Sequence, residues 1–152
     1  MNKAYLAIDP GKSGAVCIIT PETTLAYKCP KDTTQMSSII RTYTSNCTIE
    51  QYEQIVGIEK VNVFPTDGKV SAFSFGTNYG MWQGILGCFG IKPIFIRPIV
   101  WQKSLKEKYD IPKEYLPKKR KFKEIAQMNV DFKVTLATAD AILIANYLKE
   151  EE

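Results

Sequence analysis

The stretch YLAIDPGKSGAVCIIT, residues 5–20, decides the fold. Residues 5–9 form a short apolar run that ends in an acid, the pattern of a buried strand. Pro10 and Gly11 turn the chain, and residues 14–20 are apolar again, so the two runs pair as a hairpin. Working outward, residues 25–29 predict a third strand. Asp32 then precedes Met36, Ile39, Ile40 and Tyr43, a helical spacing behind an N-cap residue. Residues 54–61 (QIVGIEKV) predict a fourth strand, 62–75 a loop carrying Pro65 and Gly68, and 76–89 a glycine-rich helix. A fifth strand is expected at 92–97 (KPIFIR), with helices at 101–109, 118–128 and 138–148. The last of these places Ala139, Ile142, Leu143 and Ala145 on its buried side. Three meander strands followed by helical crossovers predict an α/β chain, with a five-stranded mixed sheet and helices on both faces.

The chain has 152 residues, the size of one domain, spanning 1–152. Hydrophobic residues at 45% and charged residues at 24% are an ordinary soluble composition that needs no disulfide or metal staple to fold. There is no histidine. That excludes Ser-His-Asp and Cys-His catalysis and histidine zinc sites. Hydrolysis by this chain must therefore rest on carboxylates, lysines or carboxylate-held metals. The four cysteines, at 17, 29, 47 and 88, show no C-x-x-C spacing, which argues against a zinc site. Cys17, Cys29 and Cys88 lie in apolar runs and read as small core residues of a reduced compartment. The apolar start runs straight into Asp9-Pro10, unlike a signal peptide. The most apolar stretch, 84–101, is interrupted by Lys92, Pro93, Arg97 and Pro98, so no membrane span is expected. A cytoplasmic protein with no membrane partner is the expectation.

Three acids stand in unusual places. Asp9 closes the first apolar strand, where a charge is costly unless exposed or engaged. Glu59 lies within a strand that is otherwise apolar. Asp140 lies at the start of ADAILIANYL. Each also has a plain structural reading: a turn-forming Asp-Pro-Gly, an ion pair with a neighbouring lysine, a first-turn carboxylate at a positive helix end. Taken together they fit a cluster if strands one and four are neighbours and the last helix packs across them. Such a cluster repels itself and suits Mg²⁺, a hard oxygen-seeking ion. A two-ion carboxylate site hydrolyses phosphodiesters without histidine.

The element order is that of the ribonuclease-H-like fold. Four segments, AIDPGKSGAV (7–16), IEKVNVFPTDGKVSAFSFGTNYG (58–80), RPIVWQKSL (97–105) and ATADAILIANYL (137–148), resemble the RuvC-type Holliday-junction resolvases, in particular their short phage and viral members. The resemblance implies a dimeric endonuclease that nicks four-way and other branched DNA with Mg²⁺ or Mn²⁺, and it implies Asp9, Glu59 and Asp140 as catalytic and metal-holding carboxylates. One departure stands out. The family places a fourth acid, or a histidine, a few residues before the final Asp, whereas this chain has Thr135, Leu136, Ala137 and Thr138 there. Asp131 is a possible replacement ligand; otherwise the second ion is held weakly, with waters and the scissile phosphate completing its shell.

Two further signals concern DNA. Residues 103–124 carry nine Lys+Arg and four acids, a local +5 against +4 for the whole chain. Concentrated positive charge suits a phosphate backbone, although a lysine run is ordinarily a solvated helix face. Lys103, Lys118, Lys119, Arg120 and Lys121 are the candidate contacts there, the last four having no compensating acid in sequence. In the expected loop and beside Glu59, Lys60, Lys69, Ser71 and Phe73 are candidates, since an exposed aromatic next to lysine can stack on unpaired bases. Phe75 is expected to fold back and anchor the next helix, and the stripe Gly76, Gly80, Gly84, Gly87 would suit a homodimer interface. Competing readings are an ATP-binding protein of the sugar-kinase and actin type, for which 152 residues are too few, a non-catalytic branched-DNA-binding module with a degenerate metal site, and an RNA-directed nuclease of the same fold.

Overall fold

A computed structural model describes residues 1–60 and 62–152. The chain runs β1 (Lys3–Asp9), β2 (Ala15–Ile19), β3 (Thr24–Lys28), α1 (Thr33–Ile49), β4 (Glu53–Glu59), α2 (Lys69–Cys88), β5 (Ile94–Ile96), α3 (Pro98–Lys108), α4 (Tyr115–Gln127) and α5 (Leu136–Glu151). The five strands form one sheet in the order β3-β2-β1-β4-β5. The first three strands pair antiparallel, as their short turns require, while β1–β4 and β4–β5 are parallel and joined through α1 and α2. This is the expected ribonuclease-H-like α/β fold, a five-stranded mixed sheet with helices on both faces.

The period-two geometry of the strands sorts side chains onto two faces. Ala4, Leu6 and Ile8 of β1, with Val56 and Ile58 of β4, pack against Met36, Ile40 and Tyr43 of α1 and Trp82 and Leu86 of α2. Tyr5 and Ala7, with Ile55, face the other way, into a core built on α5 and completed by Trp101, Phe122 and Ile125. α5 is buried over the whole run from Thr138 to Ala145, the signature of a helix enclosed on every side. Its start is fixed by a capping box in which Thr135 and Thr138 satisfy each other's backbone N–H groups. Gly57 sets how closely α5 can approach: a Cβ there would lie 2.7 Å from Ile96 Cδ1 and 3.1 Å from a Leu148 methyl.

Several boundaries differ from those the sequence predicts. α2 begins at Lys69, seven residues before the expected start at 76, so Ser71, Phe73 and Phe75 are helical and only residues 62–68 form the connection. Gly68 caps the helix without a side-chain hydrogen bond, which leaves the start without a sequence signal. The expected fourth strand ends at Glu59 rather than 61; Val61 lies outside the described residues. Cys88, expected in the core, is exposed at the last turn of α2, while Cys17, Cys29 and Cys47 are buried. Among the described residues no helix is long and apolar enough to cross a membrane.

Candidate active site

The same parity that sorts the core aims the acids. Asp9 follows Tyr5 and Ala7 on the α5 side of β1, and Glu59 follows Ile55 and Gly57 on the α5 side of β4. Ile8 pairs with Ile58, so both carboxylates stand level at the carboxyl ends of adjacent parallel strands, about 4.8 Å apart in backbone. Asp140 projects from the second turn of α5, four residues after the helix starts, and is 7% exposed. The three acids are thus brought together, close enough for the charges of Glu59 and Asp140 to act on Asp9.

The electrostatics are those of a crowded carboxylate pocket. Burial and the negative charges of Glu59 and Asp140 push the Asp9 carboxyl well above its ordinary range. Glu59 is also raised, mainly by burial, although Trp101 Nε1 donates a 2.8 Å hydrogen bond to its Oε1 and opposes the rise. Lys119 of α4 donates to Asp140 Oδ2 in a largely buried ion pair. Burial alone would lower the Lys119 ammonium, but the charge and hydrogen bond of Asp140, together with Asp9, outweigh it and hold the group above its usual value. The second oxygen of Asp140, Oδ1, is buried without a hydrogen-bond partner. An orphaned buried acceptor is costly, and it marks a place where a cation or donor would bind.

The turn after β1 is held from behind. Gly14 packs so tightly on the Asp9 carbonyl that a Cβ would sit 2.0 Å from its oxygen, and Gly11 adopts φ 117°, a region glycine alone enters readily. Cys29 Sγ donates to the Asp9 carbonyl (3.2 Å), and Gly11 N–H donates to Asn78 Oδ1 of α2 (2.7 Å). Phe75 folds back onto Gly11, as expected for an anchor.

The donor set fits a hard divalent cation: three carboxylates, one with a free buried oxygen, and no competing nitrogen ligand other than an ammonium. Among the described residues no group of three or more Cys, Asp or Glu side chains is placed to hold a metal ion, so the three carboxylates fit a cation by their chemistry and would have to close up around it. Lys119 engages one of the three carboxylates, and Trp101 donates to another.

The remaining expected residues divide into groups. Asp131 is exposed and sits beside Ile19 and Thr20, at the end of the sheet opposite Asp9, and so does not join the cluster. Lys119 turns inward onto Asp140 rather than outward, and Lys121 pairs with Glu124 at 3.3 Å, so two of the four basic residues are compensated in space. Arg120 is exposed, Lys118 half-buried, and Lys103 pairs loosely with Glu107 at 3.9 Å. Lys60, Lys69 and Ser71 are exposed, and Phe73 is 78% exposed on α2. Trp101 is the site residue that sequence reasoning did not assign, and for Lys119 it assigned a different place.

No family model matches the chain, and no curated protein sequence does. Among solved structures, the chain is similar to Thermus thermophilus RuvC in complex with a Holliday junction substrate, at TM-score 0.61 and 12% identity, covering 98% of this chain and 95% of that one. It is similar also to a second Thermus thermophilus RuvC structure, at TM-score 0.60 and 13% identity over 97% and 95% of the two chains. At this identity the likeness establishes the fold.

Proposed function

We propose that this chain is a single-domain, metal-dependent endonuclease that nicks Holliday junctions and other branched DNA by phosphodiester hydrolysis. The observation that carries the reading is the convergence of Asp9 and Glu59, level on adjacent parallel strands, with Asp140 from the enclosed helix. The fold of the neighbours, one of them in complex with a Holliday junction substrate, supports the same class.

Asp9, Glu59 and Asp140 would hold Mg²⁺ or Mn²⁺, which would activate water and offset charge on the departing oxygen. The chain's own residues prepare that site. Trp101 fixes the orientation of Glu59 through its indole N–H, and its ring packs against Phe122 at 5.2 Å between centroids. Lys119 neutralises part of the carboxylate charge, and released from Asp140 its ammonium is within the site to meet a phosphate. With no histidine in the chain, protons leave through carboxylates or water.

Branched DNA is the proposed partner, with phosphate contacts from exposed Arg120, Lys103, Lys60 and Lys69 and half-buried Lys118. A homodimer, which suits two symmetric cuts, would use α2, whose Gly76, Gly80, Gly84 and Gly87 have nothing packed within 4 Å of a Cβ position. A phage or viral origin and action in a host cytoplasm complete the reading. The alternative, a branched-DNA-binding module with a degenerate metal site, is favoured by one observation: no acid stands on α5 beside Asp140. Incubation of purified protein with labelled four-way junction, duplex and single strand, with and without Mg²⁺ or Mn²⁺, separates the two. Metal-dependent nicks near the crossover are expected; binding without nicking in either metal would establish the module instead.

A further inference from the structure

Each carboxylate of the site needs something to aim it. Trp101 does so for Glu59 and Lys119 for Asp140. Asp9 is the last residue of β1, and the chain leaves it through residues 10–14, a connection with glycine at 11 and 14. Gly11 is buried with φ 117°, a conformation that glycine permits but does not impose. The N–H of a buried residue needs an acceptor. Here the acceptor is Asn78 Oδ1 at 2.7 Å, from a residue 67 positions along the chain. Asn78 stands midway along α2, where asparagine is a poor choice for the helix itself, because its side chain competes with the backbone for hydrogen bonds. Three residues earlier on the same helical face, Phe75 lies against the same glycine: a Cβ on Gly11 would sit 2.7 Å from Phe75 Cε2. α2 therefore grips the turn at two points, one polar and one apolar.

We infer that Asn78 is a positioning residue: by accepting from the Gly11 N–H it fixes the turn that follows Asp9, and with it the direction in which the Asp9 carboxylate meets the metal. The inference deepens the nuclease reading and rests on it for the metal. Gly14 N–H donates to Gly11 O at 3.1 Å, so the turn moves as one unit, and the Asn78 bond ties that unit to a helix. The Asp9 carbonyl is held as well, by Cys29 Sγ at 3.2 Å, but a thiol is a weak donor. Without Asn78 the Gly11 N–H is left unpaired or turns toward water, and the turn shifts with it. Groups that orient metal ligands from the next layer typically set about 10- to 100-fold in metal affinity or activity.

The test compares Asn78→Leu, which keeps the size and removes the acceptor, with Asn78→Asp, which keeps the acceptor. Mn²⁺ affinity is measured by calorimetry without DNA, Gly11 amide exchange by NMR in EDTA, and single-turnover nicking alongside junction affinity. Asn78→Leu should weaken Mn²⁺ binding by about 10- to 100-fold and slow nicking to match, with junction affinity unchanged. Asn78→Asp should recover most of both. Asn78→Ala removes the same acceptor should Asn78→Leu not fold. In the unmodified protein the Gly11 amide should exchange far more slowly than that of exposed Lys12. Equal losses in the leucine and aspartate variants would assign Asn78 to packing, and a loss confined to junction affinity would assign it to DNA contact; either overturns the inference. So would unchanged Mn²⁺ affinity in Asn78→Leu, or a Gly11 amide that exchanges as fast as that of Lys12. Nicking by the unmodified protein is scored separately: acceptor-dependent Mn²⁺ binding without nicking keeps Asn78 and removes the nuclease, and nicking with an unaffected Asn78→Leu keeps the nuclease and removes Asn78.

Discussion

Replacing Lys119 with Met keeps much of the apolar stem and removes the ammonium that holds Asp140. The side chains of the pair are 25% and 10% exposed, so the change leaves a carboxylate nearly enclosed, beside two others that burial already disfavours as anions. Breaking a buried pair from one side costs about 3–5 kcal/mol, and the partial exposure of Lys119 places this case near ~3 kcal/mol. For a chain of this length that is a fall of about 6–12 °C in melting temperature. The same change should favour metal. A unit charge at about 4 Å and an effective dielectric near 20 is worth about 4 kcal/mol. Retaining even a quarter of that after solvent screening, about 1 kcal/mol, would tighten a divalent cation about fivefold. The assays are thermal denaturation in EDTA at pH 8 and a Mn²⁺ titration by calorimetry. Lys119→Met is expected to melt lower without metal and to bind Mn²⁺ more tightly than the unmodified protein. Asp140→Asn in the Lys119→Met background should recover most of the missing stability. Unchanged melting and unchanged Mn²⁺ affinity, with only DNA binding reduced, would show that Lys119 is a surface phosphate contact and refute the reasoning.

Asp9→Asn, Glu59→Gln and Asp140→Asn are each expected to lower nicking by about 10³-fold or more, the loss of several kcal/mol of metal-borne stabilisation, with junction affinity kept or increased; gel assays of nicking and binding check both. The metal-free protein should grow more stable as pH falls from neutral toward the ordinary carboxylate range. Asp9 and Glu59 have raised folded-state values, so the folded state holds more protons than the unfolded one, and the stabilisation is full below the unfolded values and lost as pH rises through the folded ones. Melting curves from pH 5 to 8 test this, and Asp9→Asn should flatten them. Ala137→Asp adds an acid three residues before Asp140, on a helix that already extends there from Leu136. It should raise activity at low Mg²⁺ and shrink any Mn²⁺ advantage, as read from metal titrations of nicking.

The sheet was legible because its signals are local: apolar runs, a Pro-Gly turn and the Asp32 cap, whose side chain does accept from Gln35 N–H. The carboxylate cluster was legible because period-two parity needs only the strand neighbours to be right, and β1 does lie beside β4. The start of α2 was not, since Pro65 and Gly68 read as a loop running on to residue 75 and Gly68 offers no side-chain cap. The direction of Lys119 was missed for a different reason. In composition it is one of four successive basic residues, and only helix rotation separates them. The signal was nevertheless present: Phe122 and Ala126 are buried on α4, and three and seven residues back from them the same face carries Lys119. Trp101 had no such signal, because its role depends on where α3 lands against the end of β4.

Those two groups, Lys119 and Trp101, come from different helices but are not independent. Phe122, three residues after Lys119 on α4, is fully buried and packs its ring on Trp101. The donor to Glu59 and the counter-ion of Asp140 are therefore fixed by one aromatic contact. Phe122→Leu shortens that contact at a cost of about 1–3 kcal/mol. It should loosen both groups and so raise Mn²⁺ affinity in the same direction as Lys119→Met. The two changes should then be non-additive: once Phe122 no longer holds α4 in place, removing the ammonium gains less. A double-mutant cycle on Mn²⁺ affinity measures this, and residues joined through one contact are expected to couple by about 0.5 kcal/mol or more. Strict additivity would mean that Lys119 is held by Asp140 alone, with α3 and α4 serving only as cover for the core.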